Sequence, residues 1–226
     1  MLFTSPQNYY ARAIASSINF STIFNAHIEL HISLFEQEPV MYGMVNKSVQ
    51  ELVTINFGVD KWEAIKKKAG VTVETFISNE SYPDAMTYGL IGAATEVLGM
   101  SADEILFAFG EFWVLNTARK DYGDLLSSAG RNMPEFLDYL PTFHTRVALI
   151  FPHLKPPRFE TSDRQDDRIT MHYFSHRPGL SVFVRGLFSG VAKLYDTPAQ
   201  ITQIKFKDKG ADHDEFVVTW GAVDQK

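Results

Sequence analysis

The hydrophobic period of this chain changes near Ile169, and that change constrains the fold more than any other feature. Before it, from Met41 onward, apolar residues recur at helical spacing for a little over a hundred residues. After it, Ile169, Met171 and Tyr173 alternate with Thr170, His172 and Phe174, the period of a strand. Helices first and strands afterwards specify an α+β domain: an N-terminal helical subdomain followed by a small antiparallel sheet with one packed helix.

Individual elements follow from the same patterning. Val45, Val49, Leu52 and Val53 share a helix face that ends near Gly58, and Trp62, Ile65 and Ala69 mark a second helix stopped at Gly70. A third runs from Met86 to Leu98 and stops at Gly99. Ser101 with Glu104 is a capping-box signature. The helix it opens continues through Ile105, Ala108, Phe112 and Leu115, and Phe107 and Val114 on its other side predict deep burial. A short helix is expected around Leu125. Pro141 suits a helix's first turn, with Thr142 to Phe151 continuing it as far as Pro152. Leu180, Phe183, Val184, Leu187, Phe188 and Val191 form the amphipathic helix of the sheet region. Ile204 with Phe206, and Phe216 with Val218 and Trp220, predict two further strands around a polar turn, and there are no internal repeats.

Residues 1–40 differ in composition and read as an extension or a misplaced start, leaving 41–222 as the domain and 223–226 as a tail. His27 and His31 could share a helix face, but Glu29 is misplaced for an H-E-x-x-H zinc motif, so two ordinary histidines are expected. The net charge of -6, with both signs scattered, argues against nucleic-acid partners. The absence of cysteine excludes disulfides, thiolate nucleophiles and thiolate-ligated or c-type haem. With no membrane-length apolar run and no signal-peptide pattern, the chain reads as cytoplasmic, without a membrane partner.

His144 lies on an apolar helix face with Leu140, Val147, Ala148 and Phe151. Such a histidine is either a hydrogen-bonded core residue or an axial ligand for an iron porphyrin between hydrophobic walls. On an extended strand Tyr173, Ser175 and Arg177 would face one way. They then form either a carboxylate clamp suited to haem propionates or a polar strand end with a surface arginine.

Met41-Tyr42-Gly43, the His144 helix, Pro157 thirteen residues later and the Y-x-S-x-R run from Tyr173 to Arg177 together resemble the H-NOX family, the haem nitric oxide/oxygen binding domains, over about residues 41–222. The resemblance implies a b-type haem buried between the helices and the sheet. It makes His144 the proximal iron ligand, gives Tyr173, Ser175 and Arg177 the propionates, and sets Pro157 against the porphyrin. Phe183 matches the position at which oxygen-holding members carry a tyrosine, which implies binding of NO and CO with weak or no binding of O2. Trp113 falls on the distal side with an indole N–H to donate, and Met44 and Val45 help to line the pocket.

The implied mechanism is a sensor's: NO weakens the opposite iron to His144 bond, and the helix is released. Thr161 stands where some relatives carry a proposed sensing cysteine. With no output domain in the sequence, a separate histidine kinase or cyclic-di-nucleotide enzyme is the expected partner, and no enzymatic activity is expected. The alternatives are a haem enzyme such as a peroxidase or NO dioxygenase, and a binding module without haem.

Overall fold

The change of period reappears in the computed structural model, which describes residues 40–150 and 155–221. The chain divides into two units, Met1–Pro39 and Val40–Lys226, and the described residues belong to the second. His27, His31, Phe151 and Pro152 lie outside the described residues.

A short strand β1 (Val40–Tyr42) pairs antiparallel with β2 (Ser81–Pro83). Between and after them come α1 (Gly43–Phe57), α2 (Val59–Lys68), α3 (Asp84–Leu98) and α4 (Ala102–Phe112). The stops are local. Gly99 ends α3 in the left-handed region at φ 67°, where a side chain would be strained. The α4 capping box is present in full: the Glu104 N–H donates to Ser101 Oγ at 3.2 Å, and the Ser101 N–H donates to the Glu104 carboxylate at 2.8 Å. These helices bury Trp62, Ile65, Leu90 and Ala94 against one another.

A second core forms on the four-stranded antiparallel sheet of β3 (Arg158–Ser162), β4 (Arg168–Phe174), β5 (Ala199–Lys205) and β6 (Asp214–Trp220), in the order β3-β4-β6-β5. Ile169 and Met171 of β4 and Phe216 and Val218 of β6 are sealed beneath Val184 and Phe188 of α7 (Ser181–Leu194). Each such side chain contributes roughly 2 kcal/mol by leaving water, so the inward phase of these strands is strongly fixed. Beyond α4 the chain enters α5 (Arg119–Ser127) and α6 (Met133–Ile150).

Four sequence expectations are corrected here. The α4 helix does not run on regularly: Trp113–Ala118 is a π-helical stretch that rephases the face and buries Val114, Thr117 and Ala118. Phe107 is half-buried, beneath the Arg185 guanidinium at 5.9 Å, and not deep in a core. Pro141 lies inside α6 and does not start it. The helix begins at Met133, where the Asn132 side chain accepts the Glu135 N–H at 2.9 Å and Pro134 occupies the first turn. In β5 the inward residues are Ala199 and Ile201, while Ile204 is 52% exposed. β5 alternates in one phase from Ala199 to Lys205, and its pairing with β6 shifts register between Gln203 and Lys205. Strands β1, β2 and β3 carry no alternating hydrophobic signal in the sequence.

Candidate functional site

α6 positions His144. Its Nδ1 lies 3.2 Å from the Leu140 carbonyl, which can only accept, so Nδ1 carries the proton and Nε2 the lone pair. No described residue hydrogen-bonds Nε2. Phe159 of β3 packs against the imidazole with ring centres 4.7 Å apart, and Phe143 at 5.7 Å. Burial pushes the His144 pKa down to about 4, with the Leu140 hydrogen bond acting in the opposite direction. The ring is therefore neutral near pH 7, the state a metal-ligating imidazole requires.

Two apolar cavities of about 200 and 220 Å³ meet at His144, and both are also lined by Trp113, Pro157 and Arg177. Val45, Tyr173, Ser175 and Phe183 line the first, and Met44 lines the second. All nine residues singled out in the sequence thus fall on this pair of cavity walls. Phe109 holds the aromatic side, 5.0 Å from Phe183 and 6.2 Å from Trp113 between ring centres. The Trp113 indole N–H has no acceptor among the described residues.

The polar edge differs from the strand clamp expected. β4 ends at Phe174, so Ser175 and Arg177 lie in the bend beyond it and strand alternation does not aim them. Arg177 is held by a buried carboxylate: Nε donates to Asp84 Oδ2 at 2.7 Å and Nη2 to Oδ1 at 3.3 Å. Nη2 also donates to the Val40 carbonyl at 2.9 Å, and Nη1 to that of Lys155 at 3.2 Å. Of the five guanidinium protons one, on Nη1, is left for a ligand.

Burial pushes the Tyr173 phenol up to about 12, a hydrogen bond with Ser175 opposing, so it stays protonated and able to donate. Cationic charge collects around this edge. Burial first, then Arg177, Lys155 and Lys207, lower the pKa of the neighbouring His176, while Asp84 opposes them. A neutral imidazole, apolar walls and an edge of hydroxyls and cations fit a flat apolar macrocycle with carboxylate tails.

Three features of the site carry no signal in the linear sequence. Asp84 is 93 residues from Arg177. Phe159 belongs to the unanticipated β3. Tyr122, which lines the second cavity, donates to Met44 Sδ at 3.5 Å from a non-helical kink in α5.

Known proteins share both sequence and fold with the chain. It is 30% identical over 156 residues to soluble guanylate cyclase gcy-32 of Caenorhabditis elegans, a match covering 68% of this chain and 23% of that protein. Soluble guanylate cyclase 89Db of Drosophila melanogaster is 27% identical over 153 residues, again 68% of this chain and 23% of the relative. The chain thus spans about a quarter of the length of these relatives. A crystal structure of an H-NOX protein from S. oneidensis in the Fe(II)NO ligation state superposes with a TM-score of 0.73 at 19% identity, covering 80% of this chain and 99% of the other. An Fe(II) unliganded H-NOX protein from K. algicida gives 0.71 at 21% identity, covering 82% and 100%. The sequence pattern of the Haem-NO-binding family matches residues 42–203, and the chain belongs to that family, the H-NOX domains.

Proposed function

We propose that residues 41–222 bind haem b through His144 and sense nitric oxide, with carbon monoxide also bound and dioxygen bound weakly or not at all. The observation that carries this reading is His144: a half-buried, neutral imidazole whose Nε2 lone pair has no described partner and which lines both cavities. Bound haem supplies a ferrous iron open to a diatomic gas.

In this reading His144 ligates the iron, and Tyr173, Ser175 and the remaining Nη1 proton of Arg177 hold the propionates. Pro157, a wall of both cavities, presses on the porphyrin. Met44 and Val45 complete the apolar lining. Phe183 offers no hydroxyl to a bound gas, which favours NO and CO over O2, and Trp113 supplies one indole N–H. Because α6 carries His144, haem held by that side chain would couple gas binding to the helix, and NO would shift α6 between two states. A separate cytoplasmic partner, a histidine kinase or cyclic-di-nucleotide enzyme, reads that helix, and the domain itself catalyses nothing. No described helix is long and apolar enough to cross a membrane. A haem enzyme would need a distal acid–base group. The imidazole and guanidinium on the described walls are His144, assigned here to the iron, and Arg177, held by Asp84.

Absorption spectra of the reduced protein test the proposal. A Soret band should be present, should shift with NO in the manner that marks loss of the axial imidazole, and should shift with CO. A stable oxy-ferrous spectrum in air would contradict the gas selectivity, and absence of a Soret band would contradict the cofactor.

A further inference from the structure

We propose that His172, His213 and Glu215 form a second metal site, for zinc or a similar divalent cation, on the sheet face turned away from the core. His172 of β4 and Glu215 of β6 are direct cross-strand partners, and His213 sits in the turn just before β6. Three potential ligand atoms converge: His172 Nδ1 and His213 Nε2 are 3.0 Å apart, His213 Nε2 and Glu215 Oε1 3.0 Å, and His172 Nδ1 and Glu215 Oε1 3.4 Å. A tetrahedral zinc with bonds of about 2.0–2.1 Å separates its ligands by roughly 3.3–3.4 Å, so adjustments of a few tenths of an ångström suffice.

The groups behind these atoms support the same assignment independently. The other nitrogen of His172, Nε2, meets Ser162 Oγ at 2.7 Å, and the other nitrogen of His213, Nδ1, meets Asp212 Oδ1 at 2.8 Å. A ligating histidine characteristically donates its second ring N–H to such a partner, which leaves the lone pair on the metal side. Both rings have that partner. Phe174 also stacks on His213 with ring centres 4.2 Å apart, fixing its plane. In the tautomers that donate to Ser162 and Asp212, both lone pairs and the Glu215 carboxylate face one another, and a cation would replace the proton that His172 Nδ1 and His213 Nε2 otherwise share.

An internal competitor is present. Lys205 Nζ lies 3.1 Å from Glu215 Oε1 and 2.9 Å from Asp212 Oδ1, and metal uptake would leave it with Asp212. Three protein ligands make an open site whose fourth position falls to water. The side chains are partly accessible, 20% for His172 and 18% for Glu215, so the ion has an entry path. The site ties β4 to β6 directly beside Tyr173 and does not depend on the haem reading.

Equilibrium dialysis of the full chain against Zn²⁺, with zinc and iron counted separately by elemental analysis, tests it. His27→Ala/His31→Ala serves as the reference background, because it removes the other closely spaced histidine pair. The reference should hold one zinc per chain at micromolar free zinc. Glu215→Gln and His172→Gln should each weaken uptake at least about tenfold with unchanged far-ultraviolet circular dichroism. Lys205→Met should bind as tightly as the reference or more so. Equal uptake by the reference and Glu215→Gln, or no uptake by the reference, overturns the proposal.

Discussion

Tyr173 shows how one side chain reports on the site through its protonation. Its phenol is 4% exposed, and burial lifts its pKa to about 12. An unfolded tyrosine ionises near pH 10, so the raised value contributes stability that is complete below that pH and is lost as pH climbs through 12. Between about pH 9 and pH 11 the wild type should lose about 1 kcal/mol more than Tyr173→Phe, measured by urea unfolding. Equal losses would show that the phenol ionises freely in the fold. His144 and the Tyr173–Arg177 run were legible as a local pattern, because a helix face and a short motif are short-range features. Asp84 was not: its role exists only once α3 and the bend after β4 meet. Removing that carboxylate leaves a buried guanidinium uncompensated, with side-chain exposures of 8% for Arg177 and 7% for Asp84. Asp84→Asn should therefore cost about 3–5 kcal/mol in the same assay, and a loss under about 1 kcal/mol would show that the pair is solvated.

Among the elements, α4 and α7 cross where both have glycine. A Cβ on Gly186 would overlap the Phe107 carbonyl, and one on Gly110 would overlap the Phe183 carbonyl. Gly186→Ala must separate the two helices that carry Phe109 and Phe183. It should destabilise by about 2 kcal/mol or more and alter the ferrous Soret band of the haem-loaded protein. Unchanged stability would mean that the crossing is looser than this. Helix faces with strong period and strong caps were readable, as α3 and α4 show. The π-helical turn at Trp113, the position of Pro141 inside α6 and the inward face of β5 were not. In each case tertiary packing selected a local conformation that residue type alone leaves open: Ile201 and Ile204 are equally good strand residues on opposite faces of β5, and only packing on the sheet core decides which one faces inward.

For the molecule as a whole, the helical core around Trp62 and Leu90 and the sheet core around Met171 and Phe216 are distinct, and Trp113 packs against both. The α+β class was legible because the change of period separates the two cores along the chain. The cavities were not legible, since they arise from what the two halves leave unfilled between Val45 and Phe183 on one side and Leu140 and Phe159 on the other. The central claim is that His144 holds a haem iron in that space. His144→Gly, purified and reduced, tests it most directly by its absorption spectrum with and without added imidazole. The variant should carry little or no haem alone and regain the Soret band only when imidazole supplies the missing ligand. Wild-type haem content and an unchanged ferrous spectrum without imidazole would contradict the claim.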